Sequence, residues 1–273
     1  MSGVAESLFA TLFPSDCRLC GAPLVNIFRL PVCVECLSDM RPIGDGVCSI
    51  CGERMVSPYA FTGELGGPRC GLCRRLEPTF AKASAYGSYE GGLRELVHLL
   101  KYEQVRPAAG VLGRMLREAI ADLEPSFRAA EILVVPVPLY SRKLRQRGFN
   151  QSEVIVRAAL KHAAQDRLTL DTAVLVRRRE TQTQTGLTRH QRRENIRGAF
   201  AVAKPEKVVG HEILLVDDVF TTGTTVSECA RILRRAGASK VFVATVARTL
   251  KADANHADLD AEERAGMTMA AAG

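Results

Sequence analysis

The residues Ile213 to Thr225 read I-L-L-V-D-D-V-F-T-T-G-T-T, and their types and order suit the binding of a sugar phosphate. The adjacent carboxylates Asp217 and Asp218 stand at the end of an apolar run, where each can accept hydrogen bonds from neighbouring ribose hydroxyls. Thr221, Thr222, Gly223, Thr224 and Thr225 follow, and then a helical pattern begins. Backbone amides at a helix start favour a dianionic phosphate. Gly223 permits close backbone approach, and the threonine hydroxyls add donors and an N-cap. Element by element, this is an ordinary strand, turn and capped helix. The whole D-D-x-x-T-T-G-T-T string is far more specific than an isolated glycine pattern.

The second chemical signal lies at the front of the chain. Eight of the nine cysteines form four C-x-x-C pairs, Cys17/Cys20, Cys33/Cys36, Cys48/Cys51 and Cys70/Cys73. Two thiolates so spaced can face one ion from a tight turn, and two pairs complete a tetrahedral site, so the expectation is two structural zinc ions. All four positions of each site are then filled, which leaves none for substrate. Pairing in sequence order is the simpler arrangement, with a cross-braced one as the alternative. A disulfide framework fits poorly in a chain with no sign of secretion, and four repeats do not resemble one redox centre. The ninth cysteine, Cys229, falls on the apolar stripe Val226, Cys229, Ala230, Leu233 and reads as a small core residue.

Charge is unevenly placed. The chain carries a formal net charge of +7, yet Leu139 to Phe200 alone holds fourteen Arg or Lys against five acids, an excess of nine. A polyanionic partner is implied, either a pyrophosphate-bearing ligand or nucleic acid; a solvated basic face is the plainer reading. No apolar stretch is long enough to span a membrane. The N-terminus M-S-G-V-A-E-S-L-F-A-T-L-F-P has an acid and no basic region, so a cytoplasmic location is expected.

The elements that must position these residues alternate. Ala83 to Tyr89 reads as a first strand, and Leu93, Leu96, Val97 and Leu100 repeat at helical spacing. Pro107 is placed like a first-turn proline before a helix carrying Ala108, Leu112, Met115 and Ala119. Ile132 to Val135 is continuously apolar and ends in P-V-P, as in a parallel strand buried on both faces. A helix is expected over Ser152 to Ala164, a strand over Ile213 to Val216, a helix to Ala236 capped by Gly237, and a final strand over Val241 to Val246. The expected fold class is α/β, with a mainly parallel sheet flanked by helices and preceded by a small zinc-ribbon domain. The expected divisions are a double zinc ribbon over 1–79, the α/β domain over 80–250, and a disordered tail over 251–273. Lys101 reads as a helix-end lysine complementing the dipole. His98 reads as a packing or surface residue, and His162, His190 and His211 have no partners at metal spacing.

The acidic pair and its threonine loop resemble the phosphoribosyl-pyrophosphate motif of type I phosphoribosyltransferases. Val135–Gln151 (V-P-V-P-L-Y-S-R-K-L-R-Q-R-G-F-N-Q), Thr183–Phe200 (T-Q-T-G-L-T-R-H-Q-R-R-E-N-I-R-G-A-F) and the cysteine pairs narrow the resemblance to the ComF/ComFC family. It runs from Cys17 to about Thr249. It implies that Asp217 and Asp218 are the catalytic acidic pair on the ribose hydroxyls, and that residues 221–225 hold the 5-phosphate. The loop from Leu139 through Lys143 would be the pyrophosphate loop, with Arg142, Lys143 and Arg147 as the nearest cations. Gly148, Asn150 and Gln151 would shape that loop and start the next helix, and Thr181 to Arg197 would be a hood that excludes water. Magnesium would be held mostly by the diphosphate and water.

Two functions of different class follow. One is a phosphoribosyltransferase using phosphoribosyl pyrophosphate and magnesium, with the acceptor left open. The other is a factor associated with single-stranded DNA or with DNA-uptake proteins in natural transformation, which the family resemblance and the basic segment both favour. A purely structural zinc protein leaves the loops unexplained.

Overall fold

The computed structural model describes residues 15–24, 30–55, 67–161, 167–181 and 189–250. The tail expected over 251–273 lies outside the described residues, as do residues 182–188 of the expected hood.

A five-stranded parallel sheet organises the chain, in the order β3-β9-β8-β4-β5. Its strands are β3 (Lys82–Ser88), β4 (Ile132–Pro136), β5 (Leu168–Leu170), β8 (Glu212–Phe220) and β9 (Lys240–Arg248). The register sets Leu133 against Ile213 and Leu215 against Val243. All five residues of β4 are buried, which is why its sequence is a continuous apolar run instead of an alternating one.

Two layers cover the sheet. On one face pack α3 (Gly91–Tyr102), α4 (Ala108–Ala121) and α6 (Gln151–Leu160), through Leu96, Leu100, Leu112, Leu116 and Ile155. On the other lie α8 (Thr224–Arg235) and an antiparallel hairpin of β6 (Leu175–Arg177) and β7 (Phe200–Val202). Cys229 is fully buried in that second layer, as expected of a core residue.

The front segment contributes a short antiparallel pair, β1 (Ser15–Asp16) with β2 (Pro23–Leu24), and two one-turn helices, α1 (Val34–Ser38) and α2 (Gly71–Arg75). It covers β3, an edge strand of the sheet. Ile43 N–H donates to the Tyr86 carbonyl at 2.6 Å, Ala83 N–H donates to the Ile50 carbonyl at 2.7 Å, and the Tyr86 hydroxyl donates to the Met40 carbonyl at 2.9 Å. Among the described residues, these bonds occupy part of an edge that another strand could otherwise pair with.

Several expectations need correction. The strand expected to stop at Val216 continues to Phe220, so Asp217 and Asp218 lie within it. Residues 141–143, expected in a loop, open the helix α5 (Ser141–Arg147), which leaves only 137–140 irregular after β4. The helix expected over 152–164 spans Gln151–Leu160. The cap of α8 is Gly223 and not a threonine.

Candidate functional site

The acidic pair is almost wholly enclosed. Asp217 and Asp218 are 8% and 4% exposed. Two donors converge on Asp217 Oδ1, the Ser152 hydroxyl at 2.9 Å and the Asp218 N–H at 3.0 Å. Ser152 itself is buried at the start of α6, where Asn150 caps the helix by accepting from Ser152 N–H at 3.2 Å. The Asn150 amide also donates to the Val137 carbonyl at 3.0 Å, tying the irregular residues after β4 to α6. Gly148 ends α5 with φ of 76°, so Gly148, Asn150 and Gln151 do shape this turn and start the next helix.

Lys101 reaches the same place. Its Nζ pairs with the Asp218 carboxylate, and both side chains are largely enclosed. The helix-dipole role expected for Lys101 is therefore corrected. Its ammonium neutralises a buried acid that lies far along the sequence.

This arrangement splits the two carboxylates. Burial, together with the neighbouring Asp218 charge, pushes Asp217 up to about 7. Burial alone would raise Asp218 too, but the Lys101 ammonium holds it below the ordinary aspartate value. Lys101 is raised in turn, because Asp218 outweighs the cost of burying the ammonium. A carboxyl near neutrality beside an ionised one can accept and donate hydrogen bonds to adjacent hydroxyls.

Cations gather around the pair. Arg147 donates to Gln151 Oε1, lies 5.7 Å from the Tyr102 ring centroid and lowers Asp218. Lys143 is depressed by burial and by the charges of Arg177 and Arg147. Arg142, by contrast, points to Glu180 at 3.8 Å and is mostly exposed. Leu139 is half-buried in the irregular stretch. Sequence reasoning missed Ser152 and Arg177. Arg177 donates to the Thr181 hydroxyl, stacks 5.2 Å from the Phe200 ring, and its charge reaches Asp217.

The threonine loop turns tightly between β8 and α8. Gly223 has φ of 72°, and a Cβ there would stand 2.6 Å from the Phe220 ring. The hydroxyls of Thr222 and Thr224 lie 2.8 Å apart. The loop therefore presents amides and hydroxyls at the positive end of a twelve-residue helix. Within the described part of the expected hood, Thr181 and 189–197, the helix α7 (Arg189–Ile196) packs on α8.

The cysteines form two tetrads in sequence order, Cys17/Cys20/Cys33/Cys36 and Cys48/Cys51/Cys70/Cys73. Sulfur pairs stand 3.7 to 3.9 Å apart, which matches the edge of about 3.8 Å of a tetrahedron with 2.3 Å zinc–sulfur bonds. Leu19 N–H and Cys33 N–H point at the Cys17 sulfur, at 3.4 and 3.3 Å. Such amides stabilise thiolates, and the donor set fits zinc. The second tetrad adjoins the loop end of β9. Arg248, 3% exposed, donates to the Cys51 carbonyl, pairs with Glu53 at 2.9 Å and lies 4.8 Å over the Phe220 ring.

A parallel sheet with an acidic strand end, a threonine cradle and a cation-rich turn defines a domain of the phosphoribosyltransferase type. Residues 151–263 match the family model described as phosphoribosyl transferase domain. Competence protein F of Haemophilus influenzae is 28% identical over 82% of this chain and 100% of its own length. The DNA utilization protein YhgH of Salmonella typhi is 33% identical over 75% of this chain and 91% of its own. Competence protein ComFC of Streptococcus pneumoniae is 23% identical over 85% and 99%. The chain belongs to this family of competence F and YhgH proteins. Among solved structures, an allosteric regulatory enzyme of purine biosynthesis matches with a TM-score of 0.31 and 22% identity, over 52% of this chain and about a quarter (26%) of that one. A phosphoribosyltransferase from Corynebacterium diphtheriae matches with a TM-score of 0.30 and 23% identity, over 57% and 80%. Among the described residues, no helix is long and apolar enough to cross a membrane.

Proposed function

We propose that the chain binds phosphoribosyl pyrophosphate with magnesium and transfers its phosphoribosyl group. The observation that carries this reading is the enclosed Asp217–Asp218 pair one turn ahead of the 221–225 cradle. Asp217 and Asp218 take the ribose hydroxyls, and Thr221, Thr222, Gly223, Thr224 and Thr225 take the 5-phosphate. The turn at Leu139, with Lys143 and Arg147, takes the diphosphate; Arg142 stands further out against Glu180. Magnesium, when bound, would be held mostly by the diphosphate and water and would supply charge neutralisation at the leaving group. The chain's own residues hold the sugar, gather cations at the leaving group and exclude water from an oxocarbenium-like state. The zinc ions are structural, within a ribbon module over 1–79 that supports a transferase-type domain over 80–250, with a tail over 251–273.

Calorimetric titration of phosphoribosyl pyrophosphate with magnesium tests this. Wild type binds, and the Asp217→Ala/Asp218→Ala double variant does not. No binding by wild type, or equal binding by both, overturns the reading.

A second reading is favoured by the names of the relatives, competence and DNA utilization proteins, and by the excess of nine positive charges over 139–200. It makes the chain a single-stranded DNA-associated factor in DNA uptake. It requires an affinity for single strands that falls steeply with salt; a flat salt dependence removes it.

A further inference from the structure

A structural zinc site has all four ligand positions filled, so its sulfurs need no opening. In the second tetrad three of the four face one. Cys51, Cys70 and Cys73 line a cavity of about 970 Å³, and residues 221–224 of the threonine cradle form another of its walls. Cys70 is half-buried, whereas Cys51 and Cys73 are nearly enclosed. The Cys51 and Cys70 Sγ atoms stand 3.7 Å apart and come from different C-x-x-C pairs. A reachable thiolate beside a second one is the arrangement that reacts with peroxides, the second resolving the oxidised first.

Charge narrows the reactant. Five arginines and four glutamates line the cavity. The tetrad sets four thiolates against one zinc dication, so it adds negative charge and cancels the arginine excess. Such a cavity does not draw in an anion. Hydrogen peroxide is uncharged and close to water in size, so neither charge nor space keeps it from the sulfurs.

The two tetrads differ in what they touch. Cys17, Cys33 and Cys36 pack with the cluster under α3 and α4, on one face of the sheet. The second tetrad packs with Phe80, Phe220 and α8, on the cradle's face. Its link to the cradle is Arg248. That guanidinium donates to the Cys51 carbonyl, pairs with Glu53 at 2.9 Å and covers the Phe220 ring at 4.8 Å, while its buried Nε has no acceptor among the described residues. Both anchors belong to one knuckle, closed by Cys48 N–H on the Glu53 carbonyl at 2.8 Å and Gly52 N–H on the Cys48 carbonyl at 2.9 Å. Phe220 in turn stands where a Cβ on Gly223 would be.

We propose that the second tetrad is an oxidative modification site for hydrogen peroxide, and that the Cys51–Cys70 disulfide formed there slackens the phosphate cradle. The effect on the cradle rests on the donor reading above; the chemistry at the sulfurs does not. The Cys70 thiolate attacks one peroxide oxygen, so the S–O bond forms as the O–O bond breaks and hydroxide leaves. The Cys51 thiolate then attacks the Cys70 sulfur, so the S–S bond forms as the S–O bond breaks and a second hydroxide leaves. Two thiolates are oxidised to one disulfide, peroxide is reduced to two hydroxides, and water supplies their protons. Cys48 and Cys73 remain, too few to hold a tetrahedral ion. The knuckle then loses its fixed shape, Arg248 loses both anchors, and the ring it covers no longer braces Gly223.

The test exposes the full zinc-loaded chain to a molar excess of hydrogen peroxide. Released zinc is read with a chromogenic chelator, cross-links by peptide mapping without reduction, and phosphoribosyl pyrophosphate affinity by calorimetry. Cys20→Ser, which keeps only the second tetrad whole, undergoes the same three measurements. The expected result in both proteins is a Cys51–Cys70 disulfide, loss of the second tetrad's zinc and at least about tenfold weaker phosphoribosyl pyrophosphate. Dithiothreitol with added zinc reverses all three. Retention of zinc by Cys20→Ser under peroxide overturns the inference. So does a disulfide confined to one C-x-x-C pair, or a Cys51–Cys70 cross-link that leaves affinity unchanged. If the untreated chain binds no phosphoribosyl pyrophosphate, the donor reading fails, and the disulfide and zinc outcomes still decide the modification site.

Discussion

Lys101 Nζ closes on the Asp218 carboxylate, joining the last turn of α3 to the acidic end of β8. Removing one partner of an enclosed pair leaves a charge with no counter-ion, which costs about 3–5 kcal/mol. Lys101→Met is therefore expected to destabilise the chain by that order at pH 8. The further change Asp218→Asn should recover much of the loss, because it removes the orphaned charge. Denaturant unfolding of the single and double variants measures both, and a double variant no more stable than Lys101→Met refutes the pairing.

The same site sets a pH dependence. Asp217 titrates near 7 in the folded chain and near the ordinary aspartate value when unfolded, so between about pH 4 and 7 the folded state binds more protons. Its contribution is fully present below about pH 4 and is lost as pH rises through 7. Asp218 has the opposite sign, since its folded value is depressed, and its contribution fades only below about pH 4. The two windows do not overlap. Asp217→Asn should flatten the loss of stability between about pH 4 and 7, so the variant gains on wild type as pH rises through that window. Unfolding midpoints across that range decide it; parallel curves for the two proteins would mean that Asp217 is not raised.

The tetrads differ in what they support. Cys73 is buried beside Phe80 and the Phe220 cluster, whereas Cys20 is exposed. Cys20→Ser and Cys73→Ser are each expected to lower zinc content from two per chain to about one. Cys73→Ser should also weaken phosphoribosyl pyrophosphate binding, because Arg248 links the Cys51 carbonyl to the ring that braces the cradle. Metal analysis and titration of both variants test this, and equal affinities would show that the second tetrad does not brace the loop.

Much of this was legible in the sequence where one residue pattern decides one structure. Continuous apolar runs at Ile132 and Ile213 meant buried parallel strands, and C-x-x-C spacing meant two tetrads. What escaped depends on distance in space. Lys101 read as a dipole partner because nothing near it in sequence shows that Asp218 is its neighbour. Ser152 read as part of a helix start for the same reason. α5 read as loop because S-R-K-L-R-Q-R has Leu144 as its sole apolar residue, so no stripe marks it. The β6–β7 hairpin escaped because L-V-R and F-A-V are too short to show a period. In the acidic strand, the turn chemistry of Asp-Asp outweighed the continuing ladder with β9, which pairs Asp217 with Thr245.

That ladder runs to Phe220, directly before the cradle, and Gly223 is the cradle's most exacting position. Its φ of 72° disfavours any side chain, and a Cβ would meet the Phe220 ring at 2.6 Å. The ring has little room to retreat, with Arg248 over it at 4.8 Å and Phe80 edge-on at 6.1 Å. Gly223→Ala should cost about 2–4 kcal/mol, from left-handed strain and overpacking together. It should also weaken phosphoribosyl pyrophosphate at least about tenfold, because the amides at the start of α8 must shift to relieve the contact. The companion change Phe220→Leu opens space beside the alanine. It should restore part of the stability while the positive φ keeps affinity low. Recovery of full affinity in Gly223→Ala/Phe220→Leu would mean that crowding alone, and not the left-handed turn, shapes the cradle.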